Sequence, residues 1–319
     1  KYAGSFLHVL GEDAQKLQDH AMKTRLGIPL IFGIDAIHGH ALYNGATVFP
    51  SQLGMACSWN PALVEQMGRV TGREVAADGL HWTFSPVLCI GRDLRWGRIN
   101  ETFGEDPYLI GEMASAMIKG YQGNALSEDD SILACAKHYL AYGESTGARD
   151  AQETPISERK VREVFLPPFK KAVEAGCATF MSGYLAIDGT PVTASKKYLR
   201  KILKEELGFD GFVVTDWNNT GALVDFQFVA ADIDEASQMA VEAGNDMLMS
   251  TLSSYDALVR LLHQGKLSEA CVDEAVERIL RIKFAMGLFD NPQKTSHARK
   301  PERFACKEHL AVNEQLTRE

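Results

Sequence analysis

The sequence lacks the features that point to a membrane, a nucleic acid or a nucleotide cofactor. No apolar run approaches the roughly 20 residues that a membrane helix requires. Asp and Glu (42) outnumber Lys and Arg (33), and the net charge of −9 comes without a basic cluster, which argues against a nucleic-acid or anionic-membrane partner. Neither a glycine-rich dinucleotide fingerprint nor a phosphate-loop pattern occurs, so the sequence predicts no cofactor.

Metal-binding patterns are also scarce. The six cysteines form no Cys-x-x-Cys pair, and His38 and His40 have no matching cluster, so we expect no metal site. Cys135 and Cys177 lie in apolar strand-like runs and are expected to be buried free thiols, with disulfides between distant cysteines as the alternative. The chain begins at Lys1 without a signal-peptide pattern, which indicates a processed chain, a trimmed chain or a fragment and leaves the compartment open.

The length and the order of the apolar segments indicate the fold class. With 319 residues, 45% hydrophobic and 24% charged, the chain suits one α/β barrel or two smaller globular domains. Short, almost continuously apolar segments alternate with helical patterns, as in a parallel sheet covered by helices. We predict a (β/α)8 TIM-type barrel over residues 1–290, incomplete or short of one strand, and a tail over residues 291–319. The predicted strands cover residues 4–9, 29–34, 82–90, 132–139, 177–183, 211–217 and 246–249.

The helical signals are clearest where capping residues adjoin an apolar pattern. Asn60 followed by Pro61 predicts the start of a helix, and Gly120 predicts the end of one. Ser157 is expected to cap a long helix that the proline pair 167–168 kinks or breaks. The tail is expected to be charged and irregular, with at most a short helix. The predicted helices cover residues 13–24, 60–77, 107–120, 157–174, 196–207, 254–264 and 268–285.

Residues 211–217 are the most informative stretch for function. An apolar, β-branched run reads as a buried strand and stops at Asp216, followed by Trp217. Catalytic groups of α/β enzymes lie at the carboxyl ends of such strands. A carboxylate beside an indole suits a sugar, because sugar rings have an apolar face and carboxylates perform glycoside chemistry. The structural alternative is that Asp216 only caps the following helix.

Polar side chains also follow other predicted strands, at the edge where the ends of barrel strands meet. Each alone has a structural explanation: Lys137 could extend to the surface, His138 could be a hydrogen-bonded core residue, and Arg95 or Arg98 could pair with nearby acids such as Glu101. Together they form a ring of donors and acceptors that suits a polyhydroxylated ligand. The residues at this edge are Asp35, the 92–98 region, Lys137, His138, Tyr184 and Asp216.

Four runs of the sequence resemble motifs of glycoside hydrolase family 3, in the order in which that family carries them. The match extends over about residues 4–288 and is most similar to the β-glucosidase and exo-β-glucanase branch. The runs are Gly-Ile-Asp-Ala-Ile-His-Gly at 33–39, Gly-Arg-Asp-Leu-Arg-Trp-Gly-Arg at 91–98 with Glu-Thr-Phe-Gly-Glu-Asp-Pro at 101–107, Ala-Lys-His-Tyr at 136–139 and Gly-Phe-Val-Val-Thr-Asp-Trp at 211–217.

The resemblance implies a retaining, exo-acting β-glucosidase that hydrolyses terminal β-D-glucosyl residues of oligosaccharides or glycosides. Asp216 would be the nucleophile of a covalent glycosyl-enzyme, and Asp35 would accept hydrogen bonds from the 4- and 6-hydroxyls of the terminal glucose. Tyr184 would lie close to the nucleophile, and Trp217 would form part of an aromatic wall. The other implied sugar ligands are Arg98, favoured over Arg95, and Lys137, His138 and Arg149.

The general acid/base is the main departure from the family pattern. In two-domain members it is a glutamate of a second α/β domain that follows the barrel, and this chain stops at Glu319, where that domain would begin. The resemblance therefore implies a fragment of a longer enzyme or a partner chain that supplies the acid, and a homodimer remains open. The carboxylates within the chain that could replace it, none of them favoured, are Glu101, Glu105, Glu144 and Glu153.

Three other functions remain as alternatives at this stage. A sugar-binding domain would keep the pocket without turnover. A β-xylosidase is a near alternative, because only Asp35 argues for a hexose with a 6-hydroxyl. A β-N-acetylhexosaminidase is disfavoured because the loop at 141–150 lacks the histidine of that branch's His-Asp pair. Bacterial relatives with similar motifs are often periplasmic or secreted, which favours those locations over the cytoplasm without deciding between them.

Overall fold

The strands of the computed structural model are short, and its described residues are 3–293 and 301–319. Lys1 and residues 294–300 of the predicted tail lie outside the described residues. The strands are β1 (Ser5–Leu7), β2 (Ile31–Ile34), β3 (Trp82–Thr83), β4 (Cys135–Tyr139), β5 (Glu153–Thr154), β6 (Thr179–Ser182), β7 (Ala186–Ile187), β8 (Thr190–Pro191) and β9 (Phe212–Thr215).

The strands are joined by helices that cover the outside of the sheet. The helices are α1 (Gly11–Met22), α2 (Gln52–Ala56), α3 (Pro61–Ala77), α4 (Pro107–Gln122), α5 (Glu158–Lys160), α6 (Leu166–Glu174), α7 (Asn219–Asp225), α8 (Ile233–Ala243), α9 (Ser253–His263), α10 (Glu269–Ala285) and α11 (Lys307–Arg318), with a π-helix at Lys197–Glu206 between β8 and β9. No helix within the described ranges is long and apolar enough to span a membrane.

Six of the described strands form a curved parallel sheet of barrel type, whereas β5, β7 and β8 form a separate small sheet in which β7 and β8 are antiparallel. Two three-stranded sheets, β1-β2-β3 and β4-β6-β9, are linked by a parallel bridge between Trp82 and Leu133. The last predicted strand is reduced to a bridge between Val214 and Met247. Ser5 Oγ lies 3.3 Å from Met247 Sδ, so the first and last strands come together through side chains. Backbone pairing does not close the barrel in the described part of the chain. The predicted barrel-type α/β fold is therefore confirmed, with an open sheet.

The predicted strand over residues 82–90 is much shorter in the structure. Only Trp82–Thr83 pairs with β2. Pro86 has no amide hydrogen to donate to a neighbouring strand, and Val87 makes only an isolated bridge to Lys137. The apolar run at 82–90 thus predicts correctly that these residues are buried, but it overstates how many of them form a β-strand.

The glycine predicted to end a helix lies inside it instead. α4 continues past Gly120 to Gln122, and Gly123 follows with φ of 61°. A Cβ on Gly120 would lie 2.2 Å from the carbonyl oxygen of Glu65 in α3. The absence of a side chain therefore permits the close contact of two helices, and the prediction that Gly120 ends the helix is wrong.

The predicted break before the proline pair takes the form of a wider helical turn. Ser157 accepts a hydrogen bond from the amide of Lys160 at 3.3 Å and caps α5, as predicted. The backbone then forms a π-helix at Val161–Phe165 before α6. Because Pro167 and Pro168 cannot donate to carbonyls one turn earlier, the regular α-helical pattern cannot run through this segment.

The alternation of side chains along the strands determines which polar groups face the barrel interior. On β9, Phe212 and Val214 belong to the interior apolar cluster, whereas Val213 packs outward against the helices. Asp216 lies two residues beyond Val214 and therefore falls on the interior side at the carboxyl end of the strand. The same alternation, with Cys135 in the interior cluster, places Lys137 on that side of β4.

All six cysteines are free thiols, which answers the question of disulfides that the sequence left open. Cys135 and Cys177 are buried, at 0% and 4% exposed, as predicted.

The end of the chain packs back onto the barrel through a buried carboxylate. Glu74 of α3 is 0% exposed and accepts hydrogen bonds from the amide and hydroxyl of Thr47, both at 2.7 Å. It also accepts from the amide of Ala305 at 2.9 Å and from Nδ1 of His309 in α11 at 2.7 Å. Glu74 thereby joins α3, α11 and the loop after β2, which begins at Asp35. The division at residues 290 and 291 stays a prediction.

We expect Glu74→Gln to lower the free energy of unfolding by about 3 kcal/mol at pH 7, because it leaves buried donors without a charged acceptor. Burial alone would raise the pKa of Glu74, but the hydrogen bonds from His309, Thr47 and Ala305 outweigh it and hold the pKa below its usual value. The stabilisation is therefore fully present above the unfolded-state pKa and is lost as the pH falls through the lower folded-state pKa.

Urea denaturation of the wild type and the variant at pH 7 and in mild acid would measure this effect. Glu308→Gln, an exposed change in the first turn of α11, is the matched control. Equal stability of the two variants at pH 7 would contradict the assigned role of Glu74.

Candidate active site

The backbone around Asp216 is fixed from two sides. Its amide donates to the carbonyl of Ser182 at 3.3 Å, and its carbonyl accepts the amide of Asn219 at 3.1 Å. The side chain accepts the amide of Trp217 at Oδ1 at 2.7 Å, and the hydroxyl of Tyr184 is close enough to help lower the pKa of the carboxyl. α7 begins at Asn219 with Asn218 as the preceding residue, so the Asp216 side chain does not cap that helix.

The second carboxylate oxygen of Asp216, Oδ2, is buried and accepts no hydrogen bond from the described residues. Burial raises the pKa of Asp216 above its ordinary value, although the charges of Lys137 and Arg98 and the amide of Trp217 act in the opposite direction. A buried acceptor without a partner is costly unless a ligand or water satisfies it. Oδ2 of Asp216 is therefore the atom of this site that is available to contact a ligand.

Lys137 and Asp35 form the second part of the site. Lys137 Nζ donates to Asp35 Oδ1 at 2.8 Å, and the lysine side chain is 5% exposed. Nε2 of His8 lies 3.0 Å from Asp35 Oδ2. Burial would raise the pKa of Asp35, but Lys137 and His8 outweigh it and hold the pKa below its usual value. An ammonium carries three donors, so Lys137 can also bind a ligand on the interior side.

Arg98 is anchored in a way that leaves one of its nitrogens available. Its Nε and Nη2 donate to the carboxylate of Glu101 at 2.7 and 2.8 Å. Nη2 also lies 3.1 Å from Nε2 of His138. Nη1 has no hydrogen-bond partner within residues 3–293 and 301–319, so its two protons can reach a ligand.

His138 lies between Arg98 and Asp216. Its Nε2 is 3.6 Å from Asp216 Oδ2, which is too far for a hydrogen bond. Burial, together with the charges of Arg98 and Lys137, holds the pKa of His138 well below its usual range. The imidazole is therefore neutral, and it does not compensate the charge of Asp216.

Aromatic side chains surround this polar group. Trp217 is 58% exposed, and its carbonyl accepts the hydroxyl proton of Tyr184 at 2.6 Å. The ring of Tyr142 lies 4.9 Å from that of His138 and 6.2 Å from that of Tyr184. The exposed indole beside Asp216 can act as the aromatic wall that the sequence predicts.

The structure does not bring every predicted residue into this group. Arg149 is exposed, and its side chain makes no hydrogen bond or ion pair with the described part of the chain; its sugar-binding role stays a prediction. Arg95 forms an exposed bidentate pair with Asp93, with a shortest distance of 2.6 Å. The geometry thus places Arg98, and not Arg95, beside the nucleophile candidate.

The four carboxylates considered as substitutes for an external acid lie in unsuitable surroundings. Glu101 is held by Arg98. Glu144 pairs with Arg92 at 2.6 Å and with Lys160. The other two, both exposed, are Glu153, which accepts the amide of Gly189, and Glu105. In the described ranges, no group of three or more His, Cys, Asp or Glu residues is placed to hold a metal ion.

Two residues of the site, His8 and Asn219, were missed by sequence reasoning. Glu101 was expected as a structural partner of Arg95 or Arg98, and the structure pairs it with Arg98. His8 is the next-to-last residue of the first predicted strand, where a polar residue could have been added to the predicted ring. Asn219 is buried and donates to Thr193 Oγ1 at 2.6 Å behind Asp216, a contact that no local sequence pattern indicates.

We expect Lys137→Met to raise the pKa of Asp216, because the substitution removes the largest of the influences that lower it. A carbon-13 NMR titration of the Asp216 carboxyl in both proteins would measure the change. Lys171→Met, which removes an exposed lysine paired with Glu112, is the control and should leave the titration unchanged. An Asp216 titration that is the same in wild type and Lys137→Met would contradict the electrostatic account.

Proteins of known sequence or structure resemble this chain over most of its length. A lysosomal beta glucosidase of Dictyostelium discoideum is 39% identical over 279 residues, 85% of this chain and 34% of that protein. A beta-xylosidase of Formosa agariphila is 37% identical over 296 residues, 88% of this chain and 41% of that protein. The solved structure of a beta-glucosidase involved in saponin metabolism, from intestinal bacteria, matches with a TM-score of 0.95 and 49% identity, over 99% of this chain and 42% of that one.

The chain therefore spans less than half the length of each of these relatives. The family model described as glycosyl hydrolase family 3 N terminal domain matches residues 8–282. The resemblance that the four motifs indicated is thus confirmed. The chain belongs to glycosyl hydrolase family 3 and contains the N-terminal domain of that family.

Proposed function

We propose that this chain is the barrel portion of a retaining, exo-acting β-glucosidase in which Asp216 is the nucleophile. The observation that carries the proposal is the buried Oδ2 of Asp216, which lies among cations and accepts no hydrogen bond from the described residues. Lys137 and Arg98 favour its ionised form, as a nucleophile requires. Similarity to proteins named beta-glucosidase supports the choice of substrate.

In the first step, Oδ2 of Asp216 attacks the anomeric carbon of a β-glucoside and forms a carbon–oxygen bond with inversion. The bond to the aglycone breaks, and the departing oxygen takes a proton from a general acid. In the second step, water attacks the same carbon and gives its proton to that group acting as a base, while the Asp216 carboxylate departs. Two inversions return the β-configuration, so the reaction retains configuration.

The other polar groups of the site supply contacts for the terminal glucose. Asp35 would accept hydrogen bonds from the 4- and 6-hydroxyls, and its pairing with Lys137 and His8 holds the carboxylate at one end of the site. Nη1 of Arg98 and the remaining protons of Lys137 would donate to the neighbouring hydroxyls. Charged groups that bind the hydroxyls at the nonreducing end would favour a terminal sugar, which corresponds to exo-action.

We propose that the general acid comes from a second α/β domain or a partner chain. The coverage of 34% to 42% of the relatives' lengths leaves room for such a domain. The surroundings of Glu101 and Glu144, both paired with cations, support an external source.

Without a general acid, this chain should react only with glucosides whose leaving groups depart without taking up a proton. General acid catalysis is worth about 10²–10⁴-fold. We expect glucosylation by 2,4-dinitrophenyl β-glucoside and no detectable turnover of methyl β-glucoside, with the release of dinitrophenol and of glucose as the readouts. Asp216→Asn should abolish the release of dinitrophenol and of glucose. Comparable rates on the two substrates would show that the chain contains its own acid.

Similarity to a beta-xylosidase makes that activity the second candidate. We expect Asp35→Ala to lower kcat/KM for an activated glucoside about 10-fold to 100-fold, the effect of losing a charged hydrogen bond, and to affect the matching xyloside less. The reason is that a xyloside shares the 4-hydroxyl but has no 6-hydroxyl for Asp35 to bind. Asp93→Ala, which removes a half-buried acid paired with the exposed Arg95, is the control. Equal losses on glucoside and xyloside would rule out this role of Asp35.

A further inference from the structure

Cys89 lies at the ring nitrogen of His138 opposite to the one that contacts Arg98. Its Sγ is 3.4 Å from Nδ1 of His138 and also accepts the backbone N–H of His138 at 3.3 Å. The thiol is 2% exposed, and burial raises its pKa to about 12, so it is uncharged at neutral pH. Neither the sequence motifs nor the proposed reaction gives this residue a role.

The contact between Arg98 and His138 determines where the imidazole proton lies. A guanidinium carries only donors, so the distance of 3.1 Å between Nη2 and Nε2 is favourable only when Nε2 is unprotonated. The neutral ring carries a single proton, because burial and the neighbouring cations hold the pKa of His138 well below its usual range. That proton is therefore on Nδ1, where the facing acceptor is Cys89 Sγ, since Asp216 Oδ2 lies 3.6 Å from Nε2, beyond hydrogen-bond distance.

We propose that Cys89 is a positioning residue that holds His138 in its Nδ1–H tautomer, so that Nε2 accepts from Arg98 and fixes the guanidinium beside Asp216. In the opposite tautomer, N–H groups of His138 and Arg98 would face each other at the same distance. The guanidinium would then lose one of its two anchors and be held by the Glu101 carboxylate alone, which loosens the position of Nη1. The claim that Arg98 binds sugar rests on the proposed function, whereas the assignment of the His138 tautomer does not.

A thiol at position 89 affects the charge of His138 differently from a carboxylate. A carboxylate in the place of Cys89 would favour the imidazolium form of His138 and add a negative charge close to Asp216. The imidazolium would turn Nε2 into a donor and expel Arg98 from its contact. A neutral thiol accepts the proton of Nδ1 without either effect.

Nitrogen-15 NMR of the whole chain, labelled with 15N-histidine, reads the tautomer directly. His138 can be assigned by the signals missing from His138→Gln. We expect an unprotonated Nε2 and a protonated Nδ1 in the wild type and in Cys89→Ser, whose hydroxyl can still accept. Cys89→Ala should give a mixture of tautomers. Cys135→Ala, which removes another buried thiol, should resemble the wild type. A protonated Nε2 in the wild type overturns the proposal.

Titration of the same proteins with D-glucose tests the positioning role. We expect Cys89→Ala to weaken glucose binding about tenfold, with Cys89→Ser and Cys135→Ala within about twofold of the wild type. A Cys89→Ala variant that loses the tautomer but binds glucose normally overturns the positioning role. A chain that binds glucose in the expected pattern but accepts no glucosyl group contradicts the proposed function, and it still supports the role of Cys89.

Discussion

The Asp216 carboxylate lies at a position largely removed from water, and the nucleophile role requires it to be ionised there. Burial acts against ionisation, and the charges of Lys137 and Arg98 act for it. Each of these cations is itself paired with a second carboxylate, Asp35 or Glu101. Isolated buried cations would be costly, so the alternating arrangement lowers the cost of placing several charges in one site. His138 stays neutral between them and contributes shape and hydrogen bonding rather than charge.

The fold supplies this arrangement through the ends of its strands and through the packing of distant segments. Side-chain alternation puts Lys137 and Asp216 on the interior side, and the loop after β2 carries Asp35 into the same region. That loop is held from outside by Glu74, which also binds the segment that includes His309. The region predicted as an irregular tail contains α11, and in its described part it supports the barrel and the loop that begins at Asp35.

The sequence predicts the central group well because buried parallel strands are almost continuously apolar. The first polar residue after such a run marks where the chain leaves the core, which is how Asp35, Lys137 and Asp216 could be found. Partnerships were harder to predict. The pairing of Arg98 with Glu101 was one of several that the sequence left open, and the exposure of Arg149 depends on loop geometry. Helices without an apolar periodicity of their own were also hard to predict.

Several helices show why such elements escape sequence analysis. α7 and α11 follow short or mixed patterns and have no capping side chain. α8 does have caps, Asp232 at its start and Gly244 at its end, but no helix is predicted there from the sequence. Gly120 was read as a helix end because glycine often has that role, whereas here it allows α4 to approach α3. Such a contact is a property of two distant segments, so neither segment alone predicts it.

Intact-protein mass spectrometry after incubation with a 2-deoxy-2-fluoro-β-glucoside bearing a good leaving group tests the central claim most directly. The fluorine slows both steps of the reaction, and the leaving group reduces the need for an acid. We expect a single covalent sugar adduct, mapped by peptide digestion to Asp216. An adduct on another residue, or no adduct on a chain that still binds glucose, would contradict it.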